Sequence, residues 1–454
     1  MPYTPLHRLL LSRARFPLVM TSGNRSDEPI AIANGEAVER LGEIADLFLI
    51  HDRQVLQRSD DSVVRRIGSA MHPIRRARGF VPAPVLLPRS FSDVVGLGAE
   101  LKGTFCFIRE DQAYISQHLG DLDFSLARDF YEETFRFFRK FLDAKPKAVC
   151  HDLHPAYFTS SFAATLKGVD RLFALQHHKA HIYSVMAETG FSGKAVGVAF
   201  DGTGYGEDGA IWGGEFFTVD GDDVTRVGSL AKFPLPGGDA AIREPWRTAV
   251  SLLRETLGRE QAQISARQLW SKISEGNLSL LLDALDKGIN VVPTTSAGRL
   301  FDAAAAIAGV CAISNFEGQA PMLLEAKASR RFAGLYPFSI VHENGLLAID
   351  WKELVAALAT DAMKGKPPET ISRRFHDTLA QAIIETVSVL ADTLETRHVI
   401  ISGGVFQNAT LLGLLLSGLR RKRMIALINR QVPVNDGGIS LGQAYYAALR
   451  VAGR

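Results

Sequence analysis

One pattern occurs twice in this chain of 454 residues: an apolar strand runs into glycines and a second strand follows. The first copy is VVGLG at residues 94–98, followed by predicted strands at 103–108 and 113–116. The second copy is AVGVAFD at residues 195–201, followed by GTGYGEDG and IWGGEFFTV. Glycines in such turns let backbone amides approach an anion closely. The repetition predicts two duplicated halves, although two unrelated β-hairpins would give the same pattern.

The remaining pattern is mainly helical. Apolar residues recur at helical spacing over residues 130–142, 298–310 and 371–394. The C-terminal part then alternates between helices and strands, with strands predicted at 398–402 and 424–427. This alternation predicts an α/β fold in which helices cover buried strands.

A proline-rich segment divides the chain. GFVPAPVLLPRSFSD, at residues 79–93, predicts an extended linker, because proline lacks an amide hydrogen and restricts the residue before it. The linker separates a small part, residues 1–78, from a large part, residues 94–454. The small part is short for an independent hydrophobic core.

Composition and charge exclude several classes of protein. The 51 Lys and Arg nearly balance the 49 Asp and Glu, so the chain as a whole has no excess of positive charge that would attract nucleic acid. The three cysteines form no CxxC pair, which disfavours a disulfide framework or a thiolate zinc knuckle. The apolar run at residues 411–419 is too short to cross a membrane, and no signal peptide is recognisable. We expect a cytoplasmic protein that binds neither membrane nor nucleic acid.

Four side chains predict a site for a divalent metal. His177 and His181 are one helical turn apart in QHHKAH, so they project from one face of a predicted helix. Asp201 ends an apolar strand, and Asp436 precedes the last predicted helix. Two imidazoles and two carboxylates suit Zn²⁺ or Fe²⁺. A surface histidine cluster with two turn-forming or helix-capping aspartates remains the alternative.

Two short motifs could bind phosphate. ISGGVFQN, at residues 401–408, lies between a predicted strand and a predicted helix, where glycine amides and a helix N-terminus can cradle an anion. Thr21-Ser22-Gly23-Asn24 offers short polar side chains after an apolar stretch, although a turn or cap is the simpler interpretation.

Longer motifs resemble the HypF carbamoyltransferase family. In the large part these are LGAELKGTFCF, SQHLGDLD, HDLHPAYFTS, QHHKAHIYSVMAE, AFDGTGYGEDGAIWGGE, GRLFDAAAAIAG, NFEGQAPMLLE, ISGGVFQNATL and PVNDGGISLGQA. In the small part, MTSGNRSDEPIA, HDRQVLQRSDDSVVRR and RRARGFVPAPV resemble the end of a YrdC-like domain. The resemblance covers essentially the whole chain.

This resemblance implies both a fold and an activity. Residues 1–78 would be the C-terminal part of a YrdC-like domain, and residues 94–454 a duplicated actin-like ATPase (TsaD-like) domain. In the family, the YrdC-like domain makes carbamoyl-adenylate from carbamoyl phosphate and ATP. The TsaD-like domain passes the carbamoyl group to the C-terminal cysteine of HypE, which dehydrates it toward a cyanide ligand of nickel–iron hydrogenase.

The resemblance also implies roles for particular residues. The metal-binding and catalytic positions would be His177, His181, Asp201 and Asp436. The positions for the nucleotide, which is ATP or AMP as carbamoyl-adenylate, would be Ser402, Gly403, Gly404, Asn408, Asp302, Gly202, Gly204, Ser22 and Asn24.

One departure from the family affects the expected activity. The family's acylphosphatase-like domain, its CxxC-rich region and the first part of its YrdC-like domain have no counterpart here. This implies an amino-truncated member, whether from a split gene, a misassigned start or an excised fragment. We expect ATP-dependent activation to be incomplete, and a separate chain could supply the missing domains. O-carbamoylation of a small molecule and a non-catalytic nucleotide-binding remnant remain alternatives.

Overall fold

The computed structural model describes residues 4–25 and 28–452. Ser26 and Asp27 of the quoted MTSGNRSDEPIA motif lie outside the described residues, as do the first three and last two residues of the chain. The small part contains α1 (Pro5–Ala14), α2 (Asn34–Leu41), β1 (Val63–Ile67) and β2 (Ala70–Arg75).

The large part consists of two successive halves. The first half comprises β3 (Val85–Gly96), β4 (Cys106–Ile115), α3 (Ser125–Phe141), β5 (Ala148–Asp152), α4 (Phe158–Thr165), β6 (Arg171–Leu175) and α5 (His177–Thr189). The second half comprises β7 (Ala195–Tyr205), β8 (Ile211–Asp220), β9 (Asp223–Leu230), β10 (Phe233–Pro236), α6 (Asp239–Arg243), α7 (Pro245–Leu257), α8 (Arg259–Leu269), α9 (Glu275–Lys287), β11 (Val291–Thr294), α10 (Ala297–Ile307), α11 (Gln319–Lys327), β12 (Ser339–Glu343), β13 (Leu346–Asp350), α12 (Lys352–Met363), α13 (Pro368–Leu394), β14 (His398–Ser402), α14 (Ala409–Arg421), β15 (Ile425–Ile428) and α15 (Ile439–Ala452). None of the described helices has an apolar stretch long enough to cross a bilayer.

The two halves share one strand plan. The first sheet has the order β4-β3-β5-β6, with β3 and β4 antiparallel and β3, β5 and β6 parallel. The larger sheet contains the matching run β8-β7-β14-β15, with β7 and β8 antiparallel and β7, β14 and β15 parallel. Each run is followed by a helix, α5 or α15. The prediction of an α/β fold with duplicated halves is therefore confirmed.

Helices α5 and α15 cross at very short distance and join the two halves. A Cβ atom added to Gly442 in α15 would lie 1.9 Å from the carbonyl oxygen of Ala180 in α5. Only glycine permits this approach of the two backbones. The apolar side chains of α5 and α15 belong to one buried cluster with residues of both sheets. The crossing therefore fixes α5, which begins with the predicted histidine pair.

Helices that border this region begin at polar caps. The side chain of Gln176 accepts hydrogen bonds from the amides of His178 and Lys179 at the start of α5. Ser296 caps α10 and Asn408 caps α14 in the same way. Such caps satisfy amides that lack partners inside a helix, so they fix where each helix begins.

The hairpin β1–β2 packs on the large part, whereas α1 and α2 do not. Arg65 donates to both carboxylate oxygens of Glu325, at 2.7 and 3.0 Å. Ile67 belongs to the main hydrophobic core. Helices α1 and α2 contain no buried residues, and Val19 and Leu47 are 97% and 91% exposed. The small part thus lacks a core of its own, as its length predicts.

Two predictions of local structure are wrong. The linker predicted at residues 79–93 ends early, because β3 begins at Val85 and includes Pro88. The ladder between β3 and β4 is irregular between Leu86 and Phe91, so proline there interrupts no regular pairing. The strands predicted at 103–108 and 113–116 form one strand, β4, which continues through Glu110 in spite of its φ of 53°.

The helix crossing gives a stability prediction. We expect Gly442→Ala to lower the free energy of unfolding by roughly 3 kcal/mol or more, since the new methyl group has no space and the helices must separate. Gly413→Ala in α14 is the matched control, because a Cβ there meets nothing within 4 Å. It should stabilise the protein by about 0.5–1 kcal/mol. Urea unfolding followed by circular dichroism measures both, and equal effects would refute the close crossing.

Candidate functional site

Four buried side chains meet where α5, β7 and the turn before α15 come together. One potential ligand atom from each of them lies within 4.8 Å of the other three, and they belong to His177, His181, Asp201 and Asp436. Asp201 Oδ2 lies 3.0 Å from His181 Nε2 and 3.4 Å from His177 Nε2. In a tetrahedral site with bonds of about 2.1 Å, ligand atoms are about 3.4 Å apart. This spacing is compatible with four ligands of one metal ion.

The Nδ1 atoms of both imidazoles have partners within the protein, and both Nε2 atoms face Asp201. His177 Nδ1 lies 2.8 Å from Asp152 Oδ2, and His181 Nδ1 lies 3.4 Å from the hydroxyl of Ser402. His177 Nε2 is buried without a hydrogen-bond partner. A buried polar atom without a partner is costly, and a metal-binding imidazole usually has its second nitrogen bound to a carboxylate. The residues present therefore fit a divalent cation.

Backbone amides orient Asp201 from both sides. Its Oδ1 accepts hydrogen bonds from the amides of Gly202, at 2.8 Å, and Gly404, at 3.0 Å. Gly403, with φ of 104°, lies so close to Phe200 that an added Cβ would be 2.2 Å from its carbonyl oxygen. The glycine turn thus brings β14 against β7 and leaves Asp201 Oδ2 facing the histidines.

The same contacts correct the predicted phosphate cradle. Besides the Gly404 amide, the Gly403 amide is also engaged and donates to the carbonyl of Val434. At the start of α14, Glu325 accepts from the amides of Ala409 and Thr410, while Asn408 accepts from Leu411. These N–H groups already have partners within the protein. The predicted cradle of free amides is therefore wrong, whereas nucleotide binding near these residues stays a prediction.

Burial and charge shift the pKa values within the cluster. Burial, and then the negative charge of Asp201, raise the pKa of Asp436 to about 6. Burial also opposes ionisation of Asp201, but the neighbouring imidazoles of His177 and His181 lower its pKa well below the usual range. For His177, burial is outweighed by Asp152, which raises the imidazole pKa. The cluster thus holds closely spaced acidic groups that a cation would stabilise.

The other residues predicted to bind the nucleotide lie in several different parts of the structure. Gly204 lies against the imidazoles, since an added Cβ would be 2.5 Å from His178 Cε1. Asp302, in α10, pairs with Arg299 at 2.7 Å, and burial raises its pKa to about 6. Ser22 and Asn24 lie in a loop of the small part, where the Asn24 side chain donates to its neighbour Arg25. None of the described contacts of Asp302, Ser22 and Asn24 reaches the four candidate metal ligands.

The sequence analysis missed three charged residues of this region. Asp152 ends β5 and supports His177. Glu325 joins the hairpin to the start of α14. Lys102 lies in the turn between β3 and β4, and burial of its amine is outweighed by Asp436 and Glu317, which raise its pKa. Asp152 could have been predicted, because it closely follows the apolar residues 148–150, much as Asp201 follows an apolar run.

The fold and this site define a class of protein: a Sua5/YrdC-like segment followed by a Kae1-like domain of the actin-like ATPase fold. Three family models match in this order. Residues 1–77 match the Sua5/YrdC model described as telomere recombination, residues 89–188 the HypF Kae1-like domain, and residues 197–443 the carbamoyltransferase Kae1-like domain, second subdomain. The chain belongs to the HypF carbamoyltransferase family.

Individual relatives agree with this assignment. Carbamoyltransferase HypF2 of Cupriavidus necator is 37% identical over 99% of this chain and 60% of its own length. Carbamoyltransferase HypF of Rhizobium leguminosarum bv. viciae is 40% identical over 98% of this chain and 58% of its own length. A crystal structure of full-length HypF in a phosphate- and nucleotide-bound form is 38% identical, with a TM-score of 0.93, over 99% of this chain and 70% of that one. The chain thus spans about three fifths of these two curated relatives.

Asp152 provides a test of the metal centre. We expect Asp152→Asn to weaken Zn²⁺ or Fe²⁺ binding by about 10- to 100-fold, because the amide no longer fixes the His177 ring and its basicity. Competition titration with a chelator, with metal content from mass spectrometry, measures the change. Asp223→Asn is the control, since this exposed carboxylate pairs only with Arg450 among its described ion pairs. Equal affinities in both variants would contradict the supporting role.

Proposed function

We propose that this chain is a carbamoyltransferase of nickel–iron hydrogenase maturation. It would pass a carbamoyl group from carbamoyl-adenylate to the C-terminal cysteine thiol of a HypE-like protein. The observation that carries the proposal is the convergence of His177, His181, Asp201 and Asp436 inside the Kae1-like domain of a HypF-family chain. The longer relatives bear the name carbamoyltransferase.

The four converging residues would hold a zinc or iron ion. When bound, such an ion supplies a Lewis acid that neutralises phosphate charge as AMP leaves. The protein's own part is orientation. Asp152 and Ser402 fix the two imidazoles, and the amides of Gly202 and Gly404 fix Asp201. These contacts come from the protein itself and hold the candidate ligands in fixed orientations.

The acceptor thiol would come from the partner. Cys106 and Cys150 lie buried in β4 and β5, and burial raises the pKa of both thiols. Cys311 is also buried, with its sulfur near the carbonyl of Ile313. In the transfer, the partner's thiolate attacks the carbamoyl carbon, a C–S bond forms, and the C–O bond to AMP breaks with its electron pair leaving on AMP. A reactive thiolate of this chain is not required.

The nucleotide would lie beside the four candidate metal ligands, against residues of the second half. The start of α10 packs against β7, since a Cβ added to Gly298 would be 2.8 Å from the Cα atom of Gly202. Asp302 lies on the same helix, and Ser402, Gly403 and Gly404 form the adjoining wall. A relative of the same fold was crystallised with phosphate and nucleotide. We therefore propose that the adenylate binds against these residues of the second half.

The small part would not carry out the activation step by itself. Its helices α1 and α2 bury none of their residues. Its apolar side chains, among them Leu47 and Val19, are exposed in a manner typical of surfaces covered by further polypeptide. A chain supplying that polypeptide is a second proposed partner.

Removal of one ligand tests the transfer site. We expect His181→Ala to abolish transfer from carbamoyl-adenylate, by about 100-fold or more, because the variant loses one of four ligand groups. The fold should persist, as judged by circular dichroism and melting temperature. The exposed His342 gives the control variant, His342→Ala. Transfer to HypE is followed by mass spectrometry, and undiminished transfer by His181→Ala would refute the role of the cluster.

The activation step is tested separately. One reaction receives ATP and carbamoyl phosphate, and another receives synthetic carbamoyl-adenylate, each with HypE and this chain. We expect carbamoylated HypE only in the second reaction, because α1, α2 and the loop with Ser22 and Asn24 offer no enclosed site for ATP. Equal rates in the two reactions would show that the small part activates carbamoyl phosphate after all.

A further inference from the structure

The arginine at the centre of β1 reaches from the hairpin β1–β2 to the second half of the large part. Along β1, Ile67 lies in the main hydrophobic core, while Val64 and Arg66 are exposed. Because alternate residues of a strand share one face, Arg65 lies on the same face as Ile67, toward the large part. The hairpin is therefore attached by one apolar and one charged side chain.

Arg65 makes three hydrogen bonds with two acceptors. Its Nη1 donates to Glu325 Oε2 at 3.0 Å and to the carbonyl oxygen of Gln407 at 2.9 Å. Its Nη2 donates to Glu325 Oε1 at 2.7 Å. Glu325 is buried, and Arg65 is its only partner among the described ion pairs. A planar guanidinium can bind both carboxylate oxygens and the carbonyl group at once, whereas the single nitrogen of a lysine cannot reproduce this arrangement.

The two acceptors connect Arg65 to a turn that orients a candidate metal ligand. Gln407 is the last residue of the short helical turn that begins at Gly404. The amide of Gly404 donates to Asp201 Oδ1 at 3.0 Å. Glu325 accepts hydrogen bonds from the first amides of α14, the next helix along the chain. The turn is thus held by Asp201 at one end and by Arg65 and Glu325 at the other.

The turn that carries the other candidate carboxylate ligand, Asp436, also contacts the hairpin. The buried side chain of Asn435 donates to the carbonyl of Ile74 in β2 at 3.1 Å and accepts from the amide of Gly437 at 3.0 Å. The hairpin supplies none of the four candidate metal ligands. It nevertheless contacts both turns on which the orientation of the two carboxylates depends.

We propose that Arg65 is a positioning residue of the metal site. By fixing the end of the turn that begins at Gly404, it keeps the Gly404 amide on Asp201 and the second oxygen of Asp201 directed at the histidines. The inference rests on the metal site of the proposed function, and not on the identity of the carbamoyl acceptor. It makes metal affinity depend on a hairpin that lies, by sequence, in the segment before the Kae1-like domain.

Zn²⁺ titration of the full chain in competition with a chelator tests this role. Arg65→Ala should weaken Zn²⁺ binding by about 3- to 10-fold, less than the roughly 10- to 100-fold expected for a direct partner of a ligand. The loss is limited because Asn408 still caps α14 and holds the chain after the turn. Arg65→Lys keeps the charge but not the planar fork, so it should recover only part of the loss.

The visible absorption of the Co²⁺-substituted chain gives a second readout, which reports how the ligands are arranged around the ion. Arg65→Ala should change this spectrum, because Asp201 shifts relative to the histidines when the Gly404 amide is no longer held in place. The spectrum of Arg65→Lys should lie between those of Arg65→Ala and the wild-type chain.

Two control variants separate positioning from stability. Arg66→Ala removes the neighbouring arginine, whose described hydrogen bond is to the carbonyl of Gly68 within the hairpin. This variant should bind Zn²⁺ as the wild-type chain does. Leu281→Ala leaves a cavity beside α9, which carries none of the candidate ligands. It should lower the melting temperature without weakening Zn²⁺ binding.

Three results would overturn the proposal. A lower melting temperature for Arg65→Ala with wild-type Zn²⁺ affinity and Co²⁺ spectrum would show that Arg65 only attaches the hairpin. Equal weakening of Zn²⁺ binding by Leu281→Ala would show that lost stability, and not lost orientation, weakens the site. Absence of Zn²⁺ binding by the wild-type chain would refute the metal site and this inference together. Arg65-dependent Zn²⁺ binding by a chain that transfers no carbamoyl group would instead refute the proposed function and leave the inference standing.

Discussion

The burial of two imidazoles and two carboxylates at one point is the constraint on which this structure depends. Such groups are costly to bury unless every atom finds a partner or a counter-charge. The fold supplies partners to the outward-facing atoms: Asp152 and Ser402 for the histidines, and two glycine amides for Asp201. What remains facing the centre is the set of atoms that a divalent cation needs. The candidate metal site thus consists of the side-chain atoms that remain after the surrounding polar atoms have found partners within the protein.

The candidate site needs both halves of the large part, because each half supplies different residues. The first half provides the histidine pair, its supporting Asp152 and the cation Lys102. The second half provides Asp201, Asp436 and the glycine turn after β14. Because α5 and α15 pack backbone against backbone at Gly442, a small separation of the halves would move ligands from opposite sides apart. The candidate site is therefore assembled only when the two halves pack together.

Local sequence patterns predicted much of the fold and of the candidate site. Contacts between residues distant in the sequence could not be predicted. The i, i+4 spacing of His177 and His181 and the alternation after residue 371 are short-range features, and the structure contains the predicted helices and strands. The use of the Gly404 amide could not be predicted, since its acceptor lies 203 residues earlier in the chain. Proline suggested a linker where an irregular strand forms, because sequence does not show which ladder positions lack hydrogen bonds. The contacts of Lys102 and Glu325 could not be predicted either, because their partners are also distant in the sequence.

The hairpin β1–β2 matches one family model but packs with the domain that matches the others. It falls within the residues that match the Sua5/YrdC model, yet Ile67 is part of the Kae1-like core and Asn435, beside a metal-ligand candidate, donates to the carbonyl of Ile74. Any swinging of α1 and α2 relative to the metal cluster must therefore bend the chain between α2 and β1, at residues 42–62. A hinge in that segment would leave the hairpin stationary on the Kae1-like domain, so that only α1, α2 and the chain around them would change position.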